Sequence, residues 1–249
     1  MSTPEIRSFR IVKNEPLCDG SFLLGLEPAD DKPTFSFVAG QWVMVHLAEP
    51  DQSLEQAVAT RSTWRGAFSI ASAPSESKDG IELAIKVYGD FTKRLQRLQP
   101  FEIVALHGPF GVFTLRPGTD RLVIFAAGIG MTPFRSMIRE MLLTNDPREI
   151  VLIYTNRMRG DIAFEEDLRD FAGKNPRVHV HFLLTRESPP SWDGEVGRLD
   201  EEKMNRLIPS VEQTEFLMCG PVDFMENVAA LLAKRGVDVK KKLRKELFN

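Results

Sequence analysis

A glycine-rich turn separates an apolar run from an amphipathic stretch in the second half of the chain. The run "RLVIFAA" leads into "GIGMTP", which contains four residues of interest: Gly128, Gly130, Thr132 and Pro133. Apolar side chains then recur at helical spacing over residues 134–142, so we predict a helix with Thr132 as its cap and Pro133 in its first turn. Unpaired N–H groups at a helix start favour an anion, and glycines let a phosphate approach them. The turn therefore predicts a pyrophosphate site; glycine used only for its positive φ is the alternative.

A second turn suited to an anion lies in the first half, within "IKVYGDFTKRLQRL". A strand ends there at Gly89, and a short helix is expected to begin around Phe91 and Thr92. Three cations follow: Lys93, Arg94 and Arg97. These cations would add positive charge beside the anion site, and a solvated helix face explains them equally well. Two anion sites suggest two nucleotides, and a flavin with a nicotinamide is the pair that would pass electrons between them.

The pattern of predicted secondary structure changes near "LRPGTD", residues 115–120. Before it, short alternating stretches are separated by turn residues, which is typical of a small antiparallel barrel or sandwich. After it, apolar strands alternate with amphipathic helices, which indicates a parallel sheet. We therefore predict two domains: a flavin-binding N-terminal antiparallel β-barrel over residues 1–117 and a nucleotide-binding C-terminal α/β parallel-sheet domain over residues 118–249.

Composition narrows the classes of function. The chain has 249 residues, 43% of them hydrophobic, and a net charge of −3, which offers nucleic acid no general attraction. No apolar run approaches the roughly 20 residues of a membrane span, and the polar start lacks a signal-peptide core, so we expect a cytoplasmic protein. Cys18 and Cys219 are too few for an iron–sulfur cluster held by four cysteines, and the four histidines indicate no metal site.

Six motifs occur in the order found in the ferredoxin–NADP reductase superfamily, which the chain resembles over about residues 35–248. They are "VAGQWVMV", "AFSIASAP", "GDFT", "HGPFGVF", "GIGMTP" and "CGP". The resemblance is to the soluble, ferric-reductase-like flavin oxidoreductases. It implies bound FAD, favoured over FMN because a pyrophosphate turn is present, and NADH or NADPH as the hydride donor.

The resemblance also implies roles for individual residues. Phe68 would stack on the flavin ring, and the Ser69 hydroxyl would lie beside the hydride-accepting nitrogen. Cys219 would lie over the nicotinamide, where its thiol is small and polarizable. The remaining flavin contacts would come from Ile70, Lys86, Gly89, Phe91 and Thr92. The remaining nicotinamide-nucleotide contacts would come from Gly128, Gly130, Thr132, Pro133, Asn156, Arg157, Gly220 and Pro221. The alternatives are a core phenylalanine at Phe68, a strand-end serine at Ser69 and an inert buried cysteine at Cys219.

The identity of the nicotinamide coenzyme depends on the loop after "VLIYT". Pro133 replaces the third glycine of the dehydrogenase turn G-x-G-x-x-G, and "IYTNR" has no acidic end, so a standard Rossmann dehydrogenase is disfavoured. Asn156, Arg157 and Arg159 lie beside Asp161. Arginine can bind a ribose 2′-phosphate, whereas Asp161 or Asn156 can hold a bare ribose, so the sequence leaves NADH and NADPH open.

One position departs from the R-x-Y-S segment of the family. Gly66 stands where the family has its phosphate-binding arginine, and Arg65 lies one residue early. On a regular strand that shift points Arg65 to the opposite face, so it could reach the phosphate only through a bulge or loop. The candidate replacements are Lys86, Lys93 and Arg94. The family tyrosine is Phe68, which keeps the stacking surface and lacks the hydroxyl.

The resemblance implies a flavoprotein oxidoreductase that passes hydride from NAD(P)H to FAD and then electrons to a separate acceptor, such as ferredoxin or another redox subunit. Two alternatives remain: an FAD-containing electron-transfer subunit of a larger complex, and a flavin-free regulatory domain, which Gly66 makes conceivable. The C-terminal "KKKLRKELFN" holds five basic residues, which could dock an acidic carrier or form a solvated strand edge. Phe248 is placed where relatives carry an aromatic residue near the flavin.

Overall fold

The computed structural model describes most of the chain. The described ranges are 3–30, 32–48, 52–59 and 64–247. Phe248 lies outside them, so its predicted place near the flavin stays a prediction. Within these ranges no helix is both long and apolar enough to cross a membrane.

The backbone divides into two units. The first comprises Met1–Leu115 with Thr132–Asn145, and the second comprises Arg116–Met131 with Asp146–Asn249. The domain boundary between residues 117 and 118 stays a prediction.

The first unit is an antiparallel barrel. Its described residues form six strands: β1 (Glu5–Cys18), β2 (Ser21–Pro28), β3 (Trp42–His46), β4 (Arg65–Ser69), β5 (Ile81–Lys86) and β6 (Ile103–Phe110). The strand order is β4-β3-β6-β1-β2-β5. Ile70, just after β4, forms a bridge with Leu83 of β5, and the Ala71 N–H donates to the Glu82 carbonyl at 2.8 Å. These contacts join the two outer strands and close the sheet.

Alternation along the strands builds the core of this barrel. Phe9 and Ile11 on β1, and Val43 and Val45 on β3, are fully buried at every second position, as the period of a strand requires. Three helices complete the first unit in the described residues: α1 (Leu54–Ala59), α2 (Gly89–Arg97) and α3 (Thr132–Leu143). Helix α1 lies in the long polar connection after β3.

Helix α3 is held to the barrel segment that follows β4 by polar contacts. Arg135 is 5% exposed and donates to the Ala71 carbonyl at 3.1 Å and to the Glu82 carboxylate at 2.8 Å. One residue later, the Ser136 hydroxyl donates to the Ser72 carbonyl at 2.7 Å. These side chains hold α3 against a segment about sixty residues earlier in the chain. The amphipathic pattern of α3 alone does not predict these contacts.

The second unit is a parallel sheet with helices between its strands. Its strands are β7 (Arg121–Ala127), β8 (Glu149–Asn156), β9 (Val178–Leu184), β10 (Glu195–Val196), β11 (Thr214–Cys219) and β12 (Leu243–Glu246). Its helices are α4 (Glu165–Lys174), α5 (Glu201–Leu207), α6 (Val222–Lys234) and α7 (Val239–Lys242). The strand order is β10-β9-β8-β7-β11-β12. An antiparallel barrel with a parallel α/β sheet confirms the predicted fold class.

The strand order of the second unit reverses at β7. The chain runs outward from β7 through β8, β9 and β10, and then returns to place β11 on the other side of β7. In open α/β sheets, ligands bind outside the carboxyl ends of the strands where the order reverses. The ends of β7, β8 and β11 therefore define the edge at which to look for a nucleotide site.

Candidate functional site

The turn after β7 has an open side. Gly128 has a φ of +54°, and a Cβ atom built on it meets no atom within 4 Å. The buried Tyr154 hydroxyl donates to the Gly128 carbonyl at 2.9 Å and accepts from the Ala163 N–H at 3.1 Å, which fixes the turn. A short 3₁₀ turn, Gly128–Met131, leads into α3, so Thr132 is the first α-helical residue instead of a cap outside the helix. The open space at Gly128 fits the predicted pyrophosphate approach.

Packing against a neighbouring strand end supplies a second reason for glycine at position 130. A Cβ atom on Gly130 would lie 2.5 Å from the Cys219 carbonyl oxygen and 2.8 Å from its carbon. On the facing segment, a Cβ on Gly220 would lie 2.9 Å from the Ala127 Cβ. The glycine at 130 therefore makes room for the backbone of "CGP", and the strand ends of β7 and β11 pack main chain against main chain.

Cys219 is the last residue of β11 and is fully buried. Burial raises the pKa of its thiol well above the ordinary value, and the nearby Glu246 carboxylate adds to the rise. The thiol therefore stays protonated at neutral pH, which excludes a thiolate nucleophile and leaves size and polarizability as its contribution. Pro221 is exposed and immediately precedes α6.

The loop after β8 contains a buried amide with no partner. Asn156 is 4% exposed, and neither its Nδ2 nor its Oδ1 has a hydrogen-bond partner in the described residues. The Thr155 hydroxyl is also buried and unpaired there. Because a buried polar group without a partner costs about 1–3 kcal/mol, such a group is suited to hydrogen-bond a ligand. These atoms fit the predicted nucleotide contact at Asn156.

Two of the charged residues in that loop already have partners. The Asp161 carboxylate accepts from the Met158 N–H at 3.1 Å. The Arg159 guanidinium lies 3.3 Å from the Glu165 carboxylate and 5.9 Å from the centre of the Trp192 ring. Of the polar residues that the sequence placed here, Asn156 and the exposed Arg157 remain available to a nucleotide.

In the first unit, the turn before α2 has the form expected of a phosphate site. Gly89 has a φ of +73°, with no atom within 4 Å of a Cβ built on it. The Thr92 hydroxyl accepts from the Tyr88 N–H at 2.6 Å and lies 2.7 Å from the Tyr88 carbonyl. It therefore holds the turn in shape, and the open backbone at Gly89 is what a phosphate could approach. The Tyr88 ring beside this turn is 88% exposed.

Two stacked phenylalanines explain the departure at Gly66. The Phe68 and Phe91 rings lie 6.3 Å apart and 9° from parallel. A Cβ on Gly66 would lie 2.8 Å from a Phe91 ring carbon and 3.0 Å from the Phe68 ring. The rings occupy the space where an arginine side chain would start, so glycine at this position follows from the presence of Phe91.

Phe68 leads into two residues with contrasting environments. Phe68 is half-buried and packs against the barrel core, which leaves part of its ring available for stacking. The buried Ser69 hydroxyl has no hydrogen-bond partner among the described residues. The Ile70 side chain, which the sequence assigned to the cofactor, is fully buried in the core, and its N–H donates to the Gln41 carbonyl at 3.0 Å. The Ile70 side chain is therefore a core component.

Substitution of Gly66 tests whether the Phe91 ring accounts for the glycine at this position. We expect Gly66→Arg to weaken FAD binding about tenfold, because the new side chain displaces the Phe91 ring. Combining it with Phe91→Ala removes the obstruction and recovers most of the affinity. Flavin fluorescence titration measures both constants. Ala67→Arg, exposed on the opposite face of the same strand, should leave the affinity unchanged; tighter FAD binding by Gly66→Arg alone would contradict the explanation.

Two residues that the sequence analysis did not single out also lie beside these turns. Arg186 follows β9, whose carboxyl end lies beside that of β8 in the parallel sheet. The same-edge rule for parallel strands would have pointed to it. Tyr88 immediately precedes Gly89, and its side chain is exposed. Lys86, at the end of β5, is exposed, as a contact with an anion requires.

Comparison with known proteins matches each part of the chain to a domain family. The profile of the oxidoreductase FAD-binding domain matches residues 8–115, and that of the oxidoreductase NAD-binding domain matches residues 124–230. The two matched profiles define the class of protein, one with the FAD-binding and NAD-binding domains of an oxidoreductase. The chain is 34% identical over 191 residues to ferredoxin–NADP reductase B of Sorangium cellulosum (strain So ce56), covering 76% of this chain and 73% of that protein. The chain belongs to the ferredoxin–NADP reductase superfamily, and the predicted cofactors FAD and NAD(P)H are confirmed.

Another relative and a solved structure match the chain over different shares of their length. The chain is 32% identical over 159 residues to the plasma membrane-associated coenzyme Q6 reductase PGA3 of Saccharomyces cerevisiae, covering 62% of this chain and 50% of that protein. Among solved structures, the cytochrome b5 reductase domain of Ulva prolifera nitrate reductase superposes with a TM-score of 0.83 at 21% identity, covering 97% of each chain. That likeness supports the fold. The chain spans 50% of the length of the Saccharomyces cerevisiae relative and 73% of the length of the Sorangium cellulosum relative.

Proposed function

We propose that this protein passes hydride from NAD(P)H to bound FAD and then delivers electrons to a separate acceptor protein. The observation that carries the proposal is the occurrence, in one chain, of two open phosphate turns. The Gly89 turn lies on the barrel near Phe68, and the Gly128 turn lies at the edge where the parallel sheet reverses. A Cβ atom built on Gly89 or on Gly128 would have no neighbouring atom within 4 Å.

The barrel residues fit a bound flavin. FAD, when bound, supplies the chemistry of accepting an electron pair and releasing single electrons. The half-buried Phe68 ring provides a stacking surface, and the unpaired Ser69 hydroxyl can donate a hydrogen bond to an electron-rich ring. The open backbone at Gly89 can bind the pyrophosphate. Gly66 does not argue against flavin, because Phe91 fills its space.

The residues of the second unit would bind and orient the nicotinamide nucleotide. The Gly128 turn would hold the pyrophosphate, and the Asn156 amide would hold the ribose. The buried, protonated Cys219 thiol would border the nicotinamide. Hydride transfer requires roughly 3–3.5 Å between the reacting atoms, so the main contribution of these residues is positioning. No general base is needed for this step.

The visible absorption spectrum tests the proposal. The purified protein should be yellow and should bleach when NADH or NADPH is added without oxygen. A yellow protein that neither nucleotide bleaches would remove the nicotinamide assignment of the Gly128 turn. A colourless protein that takes up no added FAD would favour the flavin-free regulatory scaffold instead.

We further propose that the acceptor is an acidic carrier protein that docks on the C-terminal basic residues. Arg244 is neutralised by Glu215 at 2.8 Å, and Lys241 lies 3.6 Å from Asp238. Three other cations are exposed and have no ion pair in the described chain: Lys240, Lys242 and Lys245. Unpaired cations on one short segment speed the association of an acidic partner at low salt.

Charge reversal tests this docking surface. Replacing Lys240, Lys242 and Lys245 together by glutamate should lower the rate of reduction of an acidic ferredoxin about tenfold or more at low salt. Reduction of ferricyanide, a small acceptor, should be unchanged and serves as the control. High salt should bring the variant and the parent protein together, since screening removes the attraction. An unchanged ferredoxin rate at low salt would contradict the docking proposal.

A further inference from the structure

We propose that His46 and His107 together bind one Cu(I) ion on the barrel of the first unit. The two histidines are far apart in the sequence and form no metal-binding motif there. Both belong to the first unit. The proposal goes beyond the proposed function and does not depend on it, because it involves neither of the two glycine turns.

The strand register brings the two histidines onto one face of the barrel. Strands β3 and β6 are antiparallel neighbours, and Met44 of β3 is paired directly with His107 of β6. His46 follows Met44 by two residues on the same strand. Because paired residues and residues two apart share a face, all three side chains start from the same face. The ring centres of His46 and His107 are 6.4 Å apart, and the ring planes differ by 35°.

His46 is buried without a hydrogen-bond partner. It is 3% exposed, and neither its Nδ1 nor its Nε2 has a partner in the described residues. Buried polar atoms in proteins are nearly always hydrogen-bonded, so a ring with both nitrogens unpaired is suited to a ligand from outside the chain. His107 is half-buried, which gives an ion a route to the pair from solvent.

The surroundings of the two rings keep them neutral. Burial lowers the pKa of His46, and the charge of Arg65 and the neighbouring His107 lower it further. Burial also lowers the pKa of His107. Both imidazoles are therefore unprotonated at pH 7, which is the form that binds metal ions.

The number and spacing of the ligands select the kind of ion. In the described chain no group of three or more histidine, cysteine, aspartate or glutamate side chains could hold a metal, whereas a structural zinc site takes four ligands. With metal–nitrogen bonds of about 2.0–2.1 Å, two imidazoles on opposite sides of one ion have ring centres about 6 Å apart, and a tetrahedral arrangement brings them to about 5 Å. The observed 6.4 Å matches the linear arrangement, which Cu(I) accepts. The thioether of Met44, on the same face, is a soft donor that also suits Cu(I).

The charge beside the pair favours a monovalent ion. Arg65 is paired with His46 across β3 and β4, and its positive charge repels a divalent ion about twice as strongly as a monovalent one. Both imidazoles are neutral ligands, so they cancel none of the charge of the ion. Binding transfers no electron: copper enters as Cu(I) and exchanges its previous ligands for the two ring nitrogens.

Nitrogen NMR of the histidine rings tests the site directly. The chain has four histidines, so each ring can be followed separately. One equivalent of Cu(I), added without oxygen to the Cys18→Ser protein, should shift the ring signals of His46 and His107 and leave those of His179 and His181 in place. Cys18→Ser removes a half-buried thiol that would compete for the ion. Unshifted signals of His46 and His107 overturn the proposal.

Competition with bicinchoninate, a coloured Cu(I) chelator, measures the affinity in the same Cys18→Ser background. The half-buried His107 can be exchanged with little effect on the core, and His107→Gln should weaken Cu(I) binding about 100-fold or more, because one imidazole remains. The control His179→Gln/His181→Gln removes two histidines of β9 and should keep the parent affinity within about twofold. Equal affinities of His107→Gln and the control overturn the proposal. Tighter binding of Zn²⁺ than of Cu(I) by His46 and His107 overturns the choice of ion.

Discussion

Replacing Gly130 by alanine should destabilise the protein by about 1–3 kcal/mol and slow flavin reduction by NAD(P)H about 100-fold. The new Cβ would lie 2.5 Å from the Cys219 carbonyl oxygen, which belongs to packed backbone. One segment must move by about 1 Å to restore ordinary van der Waals distances. Because Cys219 and Gly220 are predicted to border the nicotinamide, a shift of that size misplaces the hydride donor.

Two other glycines provide matched controls for the effect of Gly130→Ala on stability. Gly173 lies in α4 with no atom within 4 Å of a built Cβ, so Gly173→Ala should be neutral or slightly stabilising. Gly128 has the same open surroundings and a φ of +54°, so Gly128→Ala should cost only about 1 kcal/mol of backbone strain. Thermal unfolding and stopped-flow flavin reduction measure the effects. A stability of Gly130→Ala equal to that of Gly173→Ala would show that the two segments do not pack as described.

Removing the carboxylate of Glu82 should destabilise the first unit by roughly 2–4 kcal/mol. The Arg135 side chain is only 6% exposed, and its guanidinium lies 2.8 Å from the Glu82 carboxylate. Glu82→Gln replaces one charged acceptor of the buried Arg135 guanidinium by a neutral amide. The Ala71 carbonyl, 3.1 Å from the same nitrogen, still accepts a hydrogen bond in the variant. Urea denaturation of the variant and the parent protein measures the difference in the free energy of unfolding.

Removing the arginine of this ion pair should destabilise the protein less than removing the carboxylate. Glu82 is 28% exposed, so after Arg135→Met its carboxylate can be hydrated while the methionine fills the apolar volume. Asp170→Asn, which breaks the exposed ion pair with Lys174, provides the surface control and should change stability by about 0.5 kcal/mol or less. If Arg135→Met proved more destabilising than Glu82→Gln, the burial argument would be wrong.

Local patterns were sufficient to predict the fold class. The fully buried Phe9 and Ile11 alternate along β1, and the buried Phe134, Met137, Ile138 and Met141 of α3 follow helical spacing. Such periodicity is a property of neighbouring residues, so it can be read without knowing their distant contacts. The motif order added the family, which the domain profiles confirm.

The roles of individual site residues depended more on distant contacts. From the sequence, Gly66 is interpreted as the loss of a phosphate contact. The structure adds that the Phe91 ring lies beside the Gly66 backbone. Ile70 stands in a motif that suggests a cofactor contact, yet its side chain is fully buried in the core. In both cases the deciding neighbour comes from another strand or helix, and nothing in the local pattern announces it.

By itself, the sequence determined the two architectures, the two glycine turns and the family, because each is encoded in residues close together along the chain. Only the tertiary structure decided that Gly130 faces the Cys219 backbone, that Arg186 joins Arg157 at one edge, and that the Asn156 amide is buried without a partner in the described residues. These facts arise where strands distant in sequence end side by side. Their physical basis is close packing, which fixes the space and the partners available to each group only after the sheet has formed.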